Sequence, residues 1–185
     1  MKSIAIAIAS VLVLTGAATP ASADTTAFLN VNVISMHDAE VKYNQTVLVE
    51  DGHISVLGPV DTTPLPTDIE VVDGTDRFLM PGLAEMHAHV PGTSSPELER
   101  TLSLFAANGV TLIRGMLGQP AHLELRDALA KDEEFGPRLY TSGPSMNGNS
   151  VSGPADGARK VRAQFESGYD LIKIHPGLDA DEFAA

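Results

Sequence analysis

The chain has 185 residues, 43% of them apolar and 19% charged, a composition suited to one or two folded domains and unlike a disordered tail or a coiled coil. Twenty-four acidic against twelve basic side chains give a formal charge of −12, which argues against a basic nucleic-acid-binding face. The lack of cysteine rules out disulfides, thiolate metal sites and cysteine nucleophiles, and 5% aromatic residues with no tryptophan argue against an aromatic-rich binding face.

Lys2 precedes an apolar run from Ile4 to Leu14, followed by Pro20 and the small-residue ending Ala21-Ser22-Ala23. A basic start, a short apolar core and an A-x-A ending in that order predict a signal peptide over residues 1–23, with Asp24 as the new N-terminus. The apolar run is too short to span a bilayer, which takes about 20 residues. No cysteine follows it to carry a lipid anchor. The mature protein is therefore expected to be exported, periplasmic or secreted, without stable membrane association after cleavage.

Residues from about 27 to 80 read as strands. Leu29, Val31 and Val33 alternate with Asn30 and Asn32. Thr46 to Glu50 and His53 to Leu57 flank Asp51-Gly52, a pair that suits a hairpin turn with two positive φ angles. A Pro-rich loop follows at Pro59, Pro64 and Pro66, then a short strand over Ile69 to Val72, and Phe78 to Met80 leads into Pro81-Gly82. This block is expected to be a small antiparallel β unit.

From Pro81 the rhythm becomes strand, helix, strand, helix. The predicted strands are Ala84–His89, Val110–Met116, Arg138–Ser142 and Asp170–His175, and their ends recur every 26 to 33 residues. That interval fits a βα repeat and a parallel sheet. The first helix is expected to be capped by Ser95, to take Pro96 at its first position, to bury Leu98, Leu102 and Phe105, and to stop at Asn108-Gly109. The second runs from about Ala121 to Lys131 with Leu125 and Leu129 on one face. The third opens at Pro154, carries the stripe Ala158, Val161 and Phe165, and ends at Gly168. Asp179 and Glu182 have the spacing of a capping box for a fourth.

Residues i and i+2 of a strand share a face, so His87 and His89 project together from the end of the first parallel strand, with Met86, Ala88 and Val90 on the other face. Two neutral imidazoles converging at that end are a natural pair of ligands for a divalent metal, and two hydrogen-bonded histidines without metal are the alternative. On the last strand Lys173 shares a face with Leu171 and His175, opposite Ile172 and Ile174. Burial there disfavours the ammonium. A neutral amine can take up carbon dioxide as a carbamate whose two oxygens can bridge two metals. A lysine snorkelling to water is the alternative. Arg114, ending the second strand, is a candidate for a substrate carboxylate or for a structural ion pair, and His175 for a contact to substrate. His37, His53 and His122 read as surface residues. Residues Ser145 to Gly153 read as a mobile loop over the site or a plain connector.

The run from Phe78 through Pro81-Gly82 to His87-Ala88-His89 resembles the first-strand signature of the amidohydrolase superfamily. Leu125-Arg-Asp-Ala-Leu-Ala130 with Gly136-Pro-Arg-Leu-Tyr-Thr-Ser-Gly143 resembles the imidazolonepropionase- and prolidase-related branch, and Tyr169-Asp-Leu-Ile-Lys173 its fourth-strand lysine motif. The resemblance implies an α/β fold: the N-terminal part of a β-sandwich over residues 24–80, then strands one to four of a (β/α)8 TIM barrel over residues 81–185. It assigns His87 and His89 to a first metal and Lys173 to a carbamylated bridge in two-metal members. It also requires two further histidines from strands five and six and a proton-shuttling aspartate from strand eight, all beyond Ala185. A whole barrel takes about 250 residues, so the chain reads as the N-terminal part of a longer enzyme or a truncated product.

The expected function is a metal-dependent hydrolase of C–N bonds in an amide, dipeptide or N-acyl amino acid. Its cofactor would be one or two divalent cations, most simply Zn2+, that activate water and polarise a carbonyl. A cyclic amidase, lactonase or deaminase with a one-metal site is the enzymatic alternative, and a non-catalytic relic or binding module the other. The partner would be a small molecule or short peptide, and a homo-oligomer of the complete enzyme is compatible with this reading. N-terminal sequencing of exported material should start at Asp24; a retained Met1 on exported protein would overturn the signal-peptide assignment.

Overall fold

A computed structural model describes residues 25–185. The expected signal peptide lies outside the described residues. The described chain falls into two compact units that divide between Met80 and Pro81.

The first unit is a five-stranded sheet of β1 (Thr25–Ile34), β2 (Val41–Glu50), β3 (His53–Pro59), β4 (Glu70–Asp73) and β5 (Phe78–Leu79). Its order is β3-β2-β1-β4, with β5 also on β1. β1, β2 and β3 pair antiparallel, but β4 and β5 run parallel to β1, so the unit is mixed and not antiparallel throughout. The Asp51-Gly52 turn has φ of 49° and 75°, the positive pair that its sequence demands. Val31, Val33 and Val47 form the buried core, with Phe28, Val49 and Leu79 against it. Leu29 does not continue the alternation, because the register slips between Phe28 and Val31 where Asn30 takes φ of 58°.

The second unit has a three-stranded parallel sheet, β6 (Leu83–Ala88), β7 (Val110–Gly115) and β8 (Arg138–Thr141), in that order. α1 (Leu98–Ala107) and α2 (Ala121–Ala130) connect these strands, followed by α3 (Pro154–Glu166) and the short α4 (Ala180–Ala184). Ala88, Val90, Leu102, Ile113, Leu125, Leu129 and Leu139 form one core joining the sheet to α1 and α2, with Leu98 and Phe105 packed on it. The apolar faces predicted for those two helices are thus the buried ones. α1 begins later than expected: Ser95 accepts the Glu97 N–H in a turn ahead of the helix. Gly109 ends it at φ of 76°, where a side chain would be strained.

Three expectations fail here. The fourth strand is not a continuous ladder: two isolated bridges, Ser142 to Leu171 and Met146 to Ile174, join residues 170–175 to the chain after β8. Gly143 N–H donates to Leu171 O, but Met146, not Ser145, donates next to Lys173 O, so one extra residue around Pro144-Ser145 interrupts the pairing. The stripe of α3 is not buried either, since Phe165 is 78% exposed and Val161 exposed. α3 docks instead through polar side chains, Gln164 donating to Pro144 O at 2.8 Å and Lys160 to Ser150 O. Met86, third, is exposed while Ala88 and Val90 are buried, because the register slips by one residue between Glu85 and Ala88.

The Asp179–Glu182 capping box is present, and Glu182 also accepts the Gly153 N–H at 2.9 Å, tying α4 to the start of α3. Residues 145–150 form a hydrogen-bonded connector in which Asn147 N–H donates to the Ser150 hydroxyl at 2.8 Å. None of the described helices is long and apolar enough to cross a membrane.

Leu102 is 1% exposed and Leu104 half exposed, on opposite sides of α1. Leu102→Ala should lower unfolding stability by about 2–5 kcal/mol, whereas Leu104→Ala should cost under about 1 kcal/mol in denaturant titrations. Equal losses would show that α1 packs on a different face.

Candidate metal centre

β6 and the residue that follows it deliver His87 and His89 with ring centroids 5.4 Å apart and planes tilted by 47°. Both residues are exposed, while Ala88 and Val90 between and beyond them are buried in the core. The strand is therefore anchored by its apolar residues and offers its imidazoles on the side away from the helices. The segment after α3 brings Lys173 to them: it is 8% exposed, with Nζ 3.4 Å from Nε2 of His87.

This ammonium is the main reason that the His87 imidazole is held below the usual histidine range, with desolvation and His89 adding to it and Glu85 opposing. His87 is thereby favoured in its neutral form, the form that can ligate a metal. Glu85, which the sequence reading passed over, accepts the backbone N–H of His87 at 2.8 Å. Its place two residues before His87 on the same strand was the available signal.

Arg114 is half-buried on β7 and close enough to push the His87 imidazole further toward neutrality. Its Nε points to Met116 Sδ at 3.4 Å. The structural ion pair considered for it is not formed: among the described residues the ion pairs belong to Arg126, Arg159 and Lys160. His175 is half-buried two residues beyond Lys173, and its backbone N–H donates to Met146 O at 2.8 Å. No ring contact joins it to His87, His89 or Lys173 among the described residues. His37 and His53 are exposed as expected, but His122 is not a surface residue. It is fully buried in α2, with Nε2 3.1 Å from the Pro91 carbonyl.

The donor set fits one divalent cation only in part. Two imidazoles on a tetrahedral ion with Zn–N of about 2.0–2.1 Å place their ring centroids about 5 Å apart, close to the 5.4 Å observed. Among the described residues no cluster of three or more His, Asp, Glu or Cys side chains is arranged around a metal. A third ligand has to come from Lys173, whose ammonium has no lone pair, or from outside the described residues.

No family model matches the chain. A dihydroorotase from Ligilactobacillus salivarius is 32% identical over 77 residues, covering 40% of this chain and 18% of that protein. A prolidase candidate from Bifidobacterium longum superposes with a TM-score of 0.70 at 25% identity, over 82% of this chain and 40% of that one. A Xaa-Pro dipeptidase with methionine bound in its active site superposes with a TM-score of 0.69 at 19% identity, over 81% of this chain and 46% of that one. The likeness to these proteins supports a place in the amidohydrolase superfamily. The chain spans less than half the length of each of these relatives.

Lys173→Met removes the largest influence on His87, so its imidazole should titrate at higher pH than in the parent, read from ring resonances by NMR. An unchanged or lower value would mean that Lys173 does not approach His87 in solution.

Proposed function

We propose that this chain carries the first part of the metal site of an exported hydrolase of C–N bonds. The observation that carries this reading is the convergence of His87, His89 and Lys173 from two segments of one parallel arrangement. In this reading residues 81–185 are the first four units of a (β/α)8 barrel, with residues 170–175 as a distorted fourth strand, and residues 24–80 are part of a β-sandwich. Residues 1–23 direct export to a periplasm or medium.

His87 and His89 hold the first divalent cation, most simply Zn2+, through neutral imidazoles. Lys173 reacts as its neutral amine with carbon dioxide, forming a carbamate and releasing a proton, and so replaces a repelled ammonium by an anion with two oxygens. A cation held there supplies a Lewis acid that acidifies water and polarises a carbonyl. Among the described residues Arg114 has no carboxylate partner, and it is suited to orient an anionic group of the substrate, with His175 further along the Lys173 segment. The likeness to a prolidase candidate and a Xaa-Pro dipeptidase favours the amide of a short peptide or N-acyl amino acid. The likeness to a dihydroorotase favours a cyclic amide as the second reading.

Zinc binding by the 185-residue chain tests the site. His87→Ala and His89→Ala should each weaken it at least about tenfold, since each removes a direct ligand. Lys173→Ala should abolish the part of the binding that bicarbonate strengthens, and short carboxylic acids should restore some of it. A double histidine variant that binds zinc as the parent does would show that the two imidazoles are only packed residues.

A further inference from the structure

His122 and Arg126 lie four residues apart on α2, one turn of helix, and so share a face. Each reaches a different arm of the metal centre. His122 Nε2 donates to the Pro91 carbonyl at 3.1 Å, two residues beyond His89. In the same turn Gly92 packs on Gln119, close enough that a Cβ on Gly92 would lie 3.3 Å from the Gln119 amide oxygen. Arg126 Nη1 donates to the Gly168 carbonyl at 2.7 Å and to the two Asp170 carboxylate oxygens at 3.4 and 3.3 Å, three residues ahead of Lys173. Asp170 Oδ2 also accepts the Thr141 N–H at 2.9 Å, joining this clamp to the end of β8.

Two features show what these bonds accomplish. The His122 ring is 1% exposed and its Nδ1 is buried with no partner. An apolar side chain of similar size would avoid that cost, so the Pro91 bond is what the imidazole contributes there. Residues 170–175, for their part, lack a continuous ladder: two isolated bridges and the backbone bonds around them, among them Asp170 N–H to Thr141 O, hold them to the end of β8 and the chain after it. Side-chain bonds to Asp170 add to this interrupted pairing at its first residue.

We propose that α2 is the positioning element of this metal centre: His122 fixes the segment that carries His87 and His89, Arg126 through Asp170 fixes the segment that carries Lys173, and the helix between them sets whether the lysine meets the imidazole. His122 and Arg126 are positioning residues and touch neither metal nor substrate. This inference rests on the reading of His87, His89 and Lys173 as metal-holding groups, and the experiment separates the two.

The full 185-residue chain is compared as parent, Arg126→Ala, Arg126→Lys, Asp170→Asn, His122→Phe and Lys173→Ala. Two measurements are made: amide hydrogen exchange without metal, and zinc affinity with and without bicarbonate. Arg126→Ala should speed exchange at Asp170, Met146 and His175 and abolish the bicarbonate-dependent part of zinc binding, leaving the basal part intact. Arg126→Lys, which keeps the charge on Asp170, should restore most of it. His122→Phe should do the converse, weakening basal binding by about tenfold or more. If Arg126→Ala does not fold, Asp170→Asn carries the same test, because its amide oxygen can still accept the Thr141 N–H while the ion pair is lost.

Folded Arg126 and His122 variants that match the parent in both measurements would overturn the positioning role. If Lys173→Ala also binds zinc as the parent does, with or without bicarbonate, the metal reading of Lys173 fails. The exchange data then decide the positioning role alone, faster exchange supporting it and parental exchange overturning it.

Discussion

An ammonium held 3.4 Å from an imidazole nitrogen is the constraint around which the second unit is arranged. The two groups are 86 residues apart in sequence, so only the tertiary structure brings them together. Lys173, Arg114 and His89 all bias His87 toward its neutral form, and Glu85 opposes them. The centre is thus rich in cationic groups and poor in anionic ones. A divalent cation added to it gains two neutral nitrogen ligands but meets an ammonium. Losing a proton relieves that repulsion, and carbamate formation reverses its sign. The chemistry proposed for Lys173 is the change that the electrostatics of the arrangement favour.

The sequence made the frame of the second unit legible because its signals are local. Leu98, Leu102 and Phe105 on α1, and Leu125 and Leu129 on α2, fall at helical spacing and are the residues packed on the sheet. Asp51-Gly52 and the Asp179–Glu182 box needed only their own neighbours to be read. The candidate residues His87 and His89 were singled out for the same reason, their i, i+2 spacing, and the structure brings their ring centroids within 5.4 Å.

Not every reading that failed depends on tertiary partners. His122 stands three residues before Leu125 and seven before Leu129, on the buried face of α2, so helical spacing already placed it inside and only its polarity suggested the surface. Val161 and Phe165 form an apolar stripe, yet Lys160 and Gln164 dock α3 because the chain after β8 presents carbonyl groups to them. A hydrophobic pattern ranks faces by what they could bury and takes no account of which backbone acceptors lie opposite. The parallel pairing of β4 and β5 was hidden too, since alternation along a strand does not reveal the direction of its neighbour.

Both arms of the candidate centre depart from a regular ladder. β6 slips by one residue between Glu85 and Ala88, beside His87, and the chain after β8 carries an extra residue before it meets Lys173. Such irregularities re-aim side chains at the price of paired backbone groups. Each departure has a side-chain bond close by: Glu85 accepts the His87 N–H, and Asp170 accepts the Thr141 N–H under Arg126. Regular pairing would have bound these segments more evenly, but it would have left the direction of His87 and Lys173 to the pleat alone. The irregular ladder with polar braces lets two distant segments be aimed at one point: buried Ala88 and Val90 anchor the histidine segment in the core, whereas Ile174 beside Lys173 is exposed, so the lysine segment relies on its polar braces.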